Sequence, residues 1–402
     1  MDRDGIAQLL SPAGWALLSA LPPYDESRTL ALSERMRDEG IDPALVAAAL
    51  TQSRLRAKAV AKFGTFANGM LFTAAGLEQA TRLTVAAHHA RRFRDAGSTR
   101  VADLTCGIGA DAMAFAGIGL AVLATDLDET TAAIATVNLR HFPEAQVRHG
   151  DGLALDLEAE GIDGVYADPA RRTSSGSRVF DPAAYEPPLD SVLGLRDRVP
   201  ALGLKLGPGI PHAALPADAQ AQWVSVDGDV VEVGLWFGPL APEGPGRSAL
   251  VLRAGEAHVV EQTSDERPPT GPIGSYLYEP DGAVIRAGLV AHAARELGGR
   301  LLDRTIAYVT TDSPARLDES GLAEGLARGY RVLDTMPFGL KRLKAYLRER
   351  GVGRLTIKKR GTAVTPEQLR SQLAPKGDAE ATLVLTRVGG GQHVIVVERL
   401  AG

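Results

Sequence analysis

From residue 98 onward, short apolar segments alternate with helical patterns, and this alternation constrains the fold more than any other feature of the chain. The apolar segments are RVADLTCG, AVLATDLD, the weaker VRHGDG, GVYADP and LGLKLGPG, and the helical patterns ADAMAFAGIG and ETTAAIATVNLRHF lie between them. Strands and helices alternating at this spacing predict a parallel sheet with helices on both faces. The following QWVSVDGDVVEVGLWFG reads as two strands around an Asp-Gly turn, which predicts an antiparallel edge, with ALVLRAG as a third such strand.

The flanking segments predict two further domains. The first hundred residues have helical patterns: Asp42-Pro43 is a favourable N-cap and first position for a helix that stops at Gly64, and residues 76–97 read as a second helix. RPPTGPIG reads as a linker, and beyond it the strand patterns RLTIKKRG and ATLVLTRVGGGQHVIVVERL enclose the helical TPEQLRSQLAPKG. We therefore predict an N-terminal helical domain at 1–97, an α/β domain at 98–265 and a C-terminal α+β region at 266–402.

Composition places the chain among ordinary globular proteins. It has 402 residues, of which 45% are hydrophobic and 23% charged. Cys106 is the single cysteine, so no disulfide forms within the chain, and a reducing, cytoplasmic setting is expected. The N-terminus differs from a secretory signal, and no apolar run is long enough to span a bilayer, so we expect no membrane partner.

Positive charge is concentrated in two windows although the net charge is −5. Residues 51–100 hold nine basic and two acidic side chains, and residues 331–370 hold eleven basic and three acidic ones. Such asymmetry is what a phosphate-binding surface requires. The alternative, that both windows are solvated helix faces, stays open.

The first strand leads into a glycine loop. Asp103 ends the strand, Gly107 and Gly109 follow, and a helix begins directly after them. Glycines at these positions let the backbone approach a ligand closely, and a helix N-terminus favours a carboxylate or phosphate. Dinucleotide-binding folds use the same device, and a plain tight turn would also account for it.

Three more acids follow the next three strands. Asp126 ends the second strand, nineteen positions after Gly107, where a carboxylate binds both hydroxyls of a ribose. Asp151 follows the third strand, where it is placed to accept a hydrogen bond from an adenine amino group, and Asp168 follows the fourth. Open α/β sheets bind ligands at the carboxyl ends of their strands. We therefore expect all four acids at one crevice.

This pattern, over roughly residues 98–240, resembles the class I S-adenosylmethionine-dependent methyltransferases, which implies a Rossmann-like α/β sheet and S-adenosylmethionine as cofactor. Asp103 with Gly107 and Gly109 matches the first motif of that family, Asp126 its ribose-binding acid and Asp151 its adenine-contacting position. Neighbouring residues in the matched motifs complete the cofactor contacts that the resemblance implies: Cys106, Asp111, Leu127 and Gly152.

The stretch DPAR after the fourth strand is similar to the Asp-Pro-Pro-aromatic motif of amino-methyltransferases that act on nucleobases. In that family the acid and the adjoining backbone carbonyl accept hydrogen bonds from the target amine, and the aromatic residue stacks on a flipped base. The resemblance makes Asp168 and Pro169 the expected catalytic residues. Arg171 replaces the aromatic residue, and its guanidinium is the expected contact to a base or phosphate.

Two other kinds of chemistry are disfavoured. Methyltransferases that act on carbon 5 of uracil need a separate catalytic cysteine, and the single cysteine here lies inside the glycine loop. The histidines show no spacing with Cys, Asp or Glu that indicates a metal site, so no metal is expected, and surface or capping roles are predicted for them.

The C-terminal stretch, from about residue 330 to 402, looks like the THUMP-like domain attached to certain bacterial methyltransferases. True THUMP domains bind RNA, and the basic strand TIKKRG would suit phosphate contacts. A docking or dimerisation module is the alternative for this stretch.

The sequence thus predicts a methyltransferase that transfers a methyl group to a nitrogen of a base in structured RNA, either tRNA or rRNA. Two alternatives stay open: a methyltransferase acting on a small molecule or a protein, and a non-catalytic protein that binds S-adenosylmethionine or RNA.

Overall fold

A computed structural model describes residues 3–171, 184–262, 268–318, 321–323 and 325–400. The chain forms two compact units. The first comprises Met1–Leu206 and Leu235–Gly244, and the second comprises Gly207–Gly234 and Pro245–Gly402.

The helices of the described residues are α1 (Arg3–Leu10), α2 (Pro12–Ala20), α3 (Thr29–Asp38), α4 (Pro43–Phe63), α5 (Ala74–Gln79), α6 (Leu83–Asp95), α7 (Ala110–Gly117), α8 (Glu129–Asn138), α9 (Leu189–Leu193), α10 (Gly282–Arg286), α11 (Val290–Glu296), α12 (Leu340–Glu349) and α13 (Pro366–Leu373). None of them is long and apolar enough to cross a membrane.

The strands of the described residues are β1 (Arg100–Asp103), β2 (Ala121–Asp126), β3 (Ala145–His149), β4 (Gly164–Ala167), β5 (Ala170–Arg171), β6 (Tyr185–Glu186), β7 (Leu202–Leu206), β8 (Gln220–Val226), β9 (Asp229–Trp236), β10 (Gly246–Arg253), β11 (Glu256–Glu261), β12 (Tyr276–Pro280), β13 (Arg300–Asp303), β14 (Ile306–Thr311), β15 (Ala327–Pro337), β16 (Val352–Lys359), β17 (Ala379–Val388) and β18 (Gly391–Arg399).

The first unit contains the parallel sheet that the alternating pattern predicts. Its strands lie in the order β7-β4-β1-β2-β3, with parallel pairing throughout. The strand β1 is completely buried over its last three residues, and β4 is buried throughout. Parallel strands have their carboxyl ends at one edge of the sheet, so the residues that follow β1, β2, β3 and β4 all lie at this edge.

The helical N-terminal segment belongs to the first unit, and its longest helix follows the predicted boundaries. The Asp42 carboxylate accepts from the Ala44 amide at 2.8 Å at the start of α4, and Gly64 ends the helix with a φ of +56°. The prediction of one helix over residues 76–97 is wrong, because the chain leaves helical geometry between α5 and α6. The Lys62 ammonium donates to the carbonyls of Leu77, Glu78 and Ala80 and so satisfies the end of α5.

The second unit begins with the predicted hairpin and then departs from prediction. Asp227 and Gly228 connect β8 and β9 with φ values of +53° and +97°, which suits an Asp-Gly turn. The third strand of the predicted antiparallel edge, β10, instead pairs parallel with β8. The reason is topological: residues 235–244 leave this unit before β10 returns to it, and such a crossover allows parallel pairing.

The rest of the second unit is built on a seven-stranded sheet in the order β13-β14-β12-β15-β18-β17-β16. The C-terminal strands and helix follow the predicted sequence of elements. Because α13 connects β16 to β17, these two strands pair parallel, whereas β17 and β18 form an antiparallel hairpin.

Candidate functional site

A cavity of about 260 Å³ opens at the carboxyl ends of β1, β2 and β4, within the first unit. Eight of the residues expected at a site line it, namely Cys106, Gly107, Asp111, Asp126, Leu127, Asp151, Gly152 and Asp168. Asp103, Gly109 and Pro169 are not part of its wall. The side chain of Arg171 lies outside the described residues.

The glycine loop is shaped by backbone conformations that favour glycine. Gly107 has a φ of +54°, and no atom lies within 4 Å of where a Cβ would stand, so the space beside it is open to a ligand. Gly109 is the N-cap residue of α7 and has a left-handed φ of +87°. The loop therefore presents backbone to the cavity at Gly107.

Asp103 lies behind the loop, where solvent does not reach it. Its side chain is buried, and the Thr105 amide donates to one carboxyl oxygen at 3.4 Å, a long contact. The other carboxyl oxygen, Oδ2, has no hydrogen-bond partner in the described part of the chain. Burial, assisted by the nearby Asp111 carboxylate, raises the pKa of Asp103 well above its usual value.

Asp126 ties the end of β2 to the glycine loop. One of its carboxylate oxygens accepts from the Gly107 amide at 3.0 Å and the other from the Asp128 amide at 2.9 Å. Burial raises the pKa of Asp126, although both backbone hydrogen bonds oppose this shift. The Asp126 carboxylate is thus oriented before any ligand arrives.

The end of β3 brings two residues to the cavity. The Asp151 carboxylate accepts from the Leu153 amide at 2.9 Å and so caps a short turn. A Cβ at Gly152 would stand 2.6 Å from Thr125 Oγ1 and 2.7 Å from the Leu104 carbonyl oxygen. Glycine is therefore required at position 152 for packing against β1 and β2.

Asp168 is held from both sides. Its backbone amide donates to Thr105 Oγ1 at 2.7 Å, and its carboxylate pairs with the Lys205 ammonium at 2.5 Å. The Lys205 side chain is only 12% exposed, so the pair is screened little by water. Sequence reasoning missed Lys205; its signal is a single lysine inside the otherwise apolar strand LGLKLG.

A chain of polar contacts continues inward from Lys205. The Lys205 ammonium also contacts Thr81 Oγ1 at 3.0 Å, and the Thr81 hydroxyl donates to the Asp111 carboxylate at 2.7 Å. The other Asp111 oxygen lies 2.8 Å from Nδ1 of His89, a buried side chain. The surface or capping role predicted for His89 is therefore wrong, because this ring is packed inside the first unit.

Burial alone would raise the pKa of the Asp111 carboxyl. The hydrogen bond and charge of His89, with Lys205 and Thr81, outweigh burial and lower that pKa. Asp103 and Asp111 therefore have opposite shifts although both are buried, because only Asp111 has cationic partners. The environment therefore favours the ionised form of Asp111 at the cavity wall and the protonated form of Asp103 behind it.

Cys106 is not a nucleophile in this setting. Its thiol is buried, and burial raises its pKa well above the ordinary value of 9.0. The reactive form of cysteine is the thiolate, which this environment disfavours. Among the described residues, no group of three or more His, Cys, Asp or Glu side chains is placed to hold a metal ion.

Comparison with known proteins identifies the family. Two uncharacterized S-adenosylmethionine-dependent methyltransferases of Mycobacterium tuberculosis, from strains CDC 1551 / Oshkosh and H37Rv, are each 34% identical over 349 residues, which cover 84% of this chain and 91% of theirs. The chain belongs to the S-adenosylmethionine-dependent methyltransferases.

Two further comparisons cover its parts and its fold. The family described as THUMP domain-like matches residues 327–399, and a domain of unknown function (DUF8688) matches residues 2–59. The crystal structure of a Porphyromonas gingivalis W83 protein, provisionally described as a methyltransferase, is similar with a TM-score of 0.73 and 23% identity. The match covers 95% of this chain and 100% of the other chain, so the two proteins share a fold over nearly the whole length of this chain.

The cavity fits S-adenosylmethionine by the chemistry of its wall. An oriented carboxylate at Asp126 suits ribose hydroxyls, and the apolar Leu127 and Ile108 flank it. No atom lies within 4 Å of the position of a Cβ at Gly107, so a ligand can approach the backbone there, and a side chain at this position would take up part of that space. When bound, S-adenosylmethionine supplies an electrophilic methyl group.

Proposed function

We propose that this methyltransferase transfers the methyl group to a nitrogen of a base in structured RNA, either tRNA or rRNA. The observation that carries the proposal is the Asp168 carboxylate, which lines the same cavity as the residues that fit the cofactor. A carboxylate in that setting accepts a hydrogen bond from an amine and takes its proton. The DPAR sequence that begins at Asp168 supports an amine as the target.

We assign the cofactor contacts accordingly. In this proposal the Asp126 carboxylate binds the ribose hydroxyls and Asp151 accepts from the adenine amino group. The remaining cofactor-binding positions shape or line the cavity: Asp103, Cys106, Gly107, Gly109, Asp111, Leu127 and Gly152. We also assign residues 98–265 as the methyltransferase domain between the helical segment 1–97 and the α+β region 266–402.

The proposed transfer is a direct in-line displacement, which needs no cysteine. The target nitrogen forms a bond to the methyl carbon while the carbon–sulfur bond breaks and its electron pair returns to sulfur. The nitrogen then carries one proton too many, which passes to the Asp168 carboxylate. The Pro169 carbonyl accepts a hydrogen bond from the same amine, and the Arg171 guanidinium contacts the base or an adjoining phosphate. Orientation of the amine supplies most of the rate enhancement.

RNA is favoured as substrate by the C-terminal region. The match of residues 327–399 to the THUMP domain-like family lies on the same chain as the cofactor cavity. The same region contains the whole basic window of residues 331–370. Concentrated positive charge on a chain of net charge −5 provides the phosphate contacts that RNA binding requires.

The test is transfer of tritiated methyl groups from S-adenosylmethionine to total RNA from a strain that lacks this gene, compared with wild-type RNA. Label should enter only the RNA of the deletion strain, because wild-type RNA is already methylated. Asp168→Ala should lower transfer by about 10²- to 10⁴-fold, the loss typical of a missing general base, and leave the Kd for S-adenosylmethionine unchanged.

Two control variants separate chemistry from cofactor binding. Asp126→Ala should weaken cofactor binding first, and Asp190→Ala, at an exposed position on α9, should change neither property. Cofactor binding without label in any RNA would overturn the RNA substrate and favour a protein or a small molecule. Transfer that survives Asp168→Ala would overturn the catalytic assignment.

A further inference from the structure

A groove of about 420 Å³ lies on the second unit between α12 and the chain that follows α13. The cationic side chains that line it are Lys341, Lys344, Arg348 and Lys376.

The helix α12 presents its cations in a row because of their spacing. Lys341, Lys344 and Arg348 are three and four residues apart, which places them on one face of the helix, and all three are exposed. Leu343 and Leu347, on an adjacent face of the helix, are buried in a cluster with residues of the sheet. The fourth cation, Lys376, follows the buried Leu373 at the end of α13. Buried leucines therefore anchor both helices that carry the groove cations.

Unlike Arg350, Arg354, Lys358 and Arg360 nearby, the four groove cations form no ion pair with a described residue. On the strand β16, in contrast, Lys358 pairs with Glu279 at 2.7 Å and Arg354 pairs with Glu380 at 2.7 Å. Four like charges gathered without a counter-ion repel one another, and an anionic ligand would relieve this repulsion.

We infer that this groove binds the backbone phosphates of the RNA substrate, an inference that rests on the proposed function. The row from Lys341 to Arg348 covers roughly 10 Å along the helix axis, which exceeds the size of one phosphate group. A row of that length matches successive phosphates of a nucleic-acid strand better than a single small anion. Lysine and arginine side chains of this kind supply affinity and register rather than base specificity.

This inference moves the expected phosphate contact away from the strand TIKKRG. Two of the cations in that strand, Lys358 and Arg360, lie within 4 Å of Glu279, so this carboxylate offsets part of their charge. The exposed face of α12 has no such compensation, so the groove rather than the strand is assigned the phosphates.

The experiment compares two triple variants of the full chain in binding to bulk tRNA over a range of salt concentrations. The groove variant carries Lys341→Gln, Lys344→Gln and Arg348→Gln, and the control variant carries Arg331→Gln, Arg354→Gln and Lys359→Gln. Both remove three positive charges from exposed positions of the second unit, so their net charges are equal. A third variant, Lys341→Arg with Lys344→Arg, keeps the charge of the groove.

The groove variant should bind tRNA about 10- to 100-fold more weakly than wild type, with a salt slope smaller by about 2 to 3, since each lost phosphate contact lowers the slope by about one. The control variant and the arginine variant should bind as wild type does. Equal losses in both triple variants, or no loss in the groove variant, would overturn the inference.

Methyl transfer, measured in parallel, separates this inference from the proposed function. If the groove variant binds tRNA weakly and the wild type transfers no methyl group to any RNA, the groove still binds RNA phosphates but the proposed function is overturned. If wild type and the groove variant bind tRNA equally and both transfer methyl groups to RNA, the assignment of the groove is overturned and the proposed function is retained.

Discussion

At the residue scale, the Asp168 carboxylate at the cavity forms an ion pair with the Lys205 ammonium, at 2.5 Å. An adjacent cation favours the ionised form of a carboxyl group, which is the form that accepts a proton from an amine. Lys205 is itself oriented by Thr81 at 3.0 Å. We therefore regard Lys205 as a positioning residue that holds the Asp168 carboxylate in place.

Replacing Lys205 tests this role. Lys205→Met should lower methyl transfer by about 100-fold, a loss typical of misplaced reacting groups, and leave the Kd for S-adenosylmethionine unchanged. Lys205→Arg should restore part of the rate, because it keeps a cation beside the Asp168 carboxylate. A loss in Lys205→Arg as large as that in Lys205→Met would contradict this role.

Asp103 provides a second test at the same scale, through the pH dependence of stability. Burial raises the pKa of this carboxyl above the value of 3.8 that it has when unfolded. The folded state then keeps a proton that the unfolded state releases, so the contribution of Asp103 to stability is present below pH 3.8 and is lost as pH rises through the folded-state pKa.

Asp103→Asn removes this titration and keeps the shape of the side chain. The variant should be as stable as wild type near pH 4 and more stable at pH 8, with a gain of about 1.4 kcal/mol for each pH unit between the unfolded and folded pKa values. Thermal unfolding at pH 4, 6 and 8 measures this, with the exposed Asp190→Asn as control. A variant whose destabilisation grows with pH would show that Asp103 is ionised in the folded protein.

At the scale of elements, local signals predicted the helices and strands that depend on local contacts. The helix α4 begins after Asp42 and stops at Gly64 because an N-cap side chain and a left-handed glycine are both encoded at those positions. The glycine loop and three of the four expected acids, Asp126, Asp151 and Asp168, reach the cavity for the same reason. The expectation that Asp103 also reaches it is wrong, because this side chain is buried behind the loop.

Elements that depend on distant partners were not predicted. The break between α5 and α6 is fixed by Lys62, fifteen or more residues earlier in the chain, and nothing within residues 76–97 marks it. The buried position of His89 follows from its contact with Asp111, and the role of Lys205 follows from its contact with Asp168. Such contacts arise from topology, which the spacing of residues does not encode.

At the scale of the whole molecule, the region matched by the THUMP domain-like family is not separable from the residues before it. Residues 327–399 begin with β15, which pairs with β12 over Tyr276–Pro280. A buried cluster contains Leu277 and Tyr308 from the earlier part of the sheet together with Tyr330 and Ile395 from the matched region. The boundary of the family match therefore runs through the middle of one sheet and one core.

A truncation should show this continuity. A chain that ends at residue 326 loses β15 and exposes the edge of β12, which contains the buried Leu277 and Tyr278. Each buried side chain of this kind contributes about 1.5–3 kcal/mol to stability. We expect this chain to aggregate, because an exposed apolar strand edge pairs with other chains. Size-exclusion chromatography and thermal unfolding measure the effect, and a chain that ends at residue 400 serves as control. A monodisperse truncated chain with the wild-type Tm would instead show that residues 327–400 form an independent domain, and deletion could then replace point substitution in testing RNA binding.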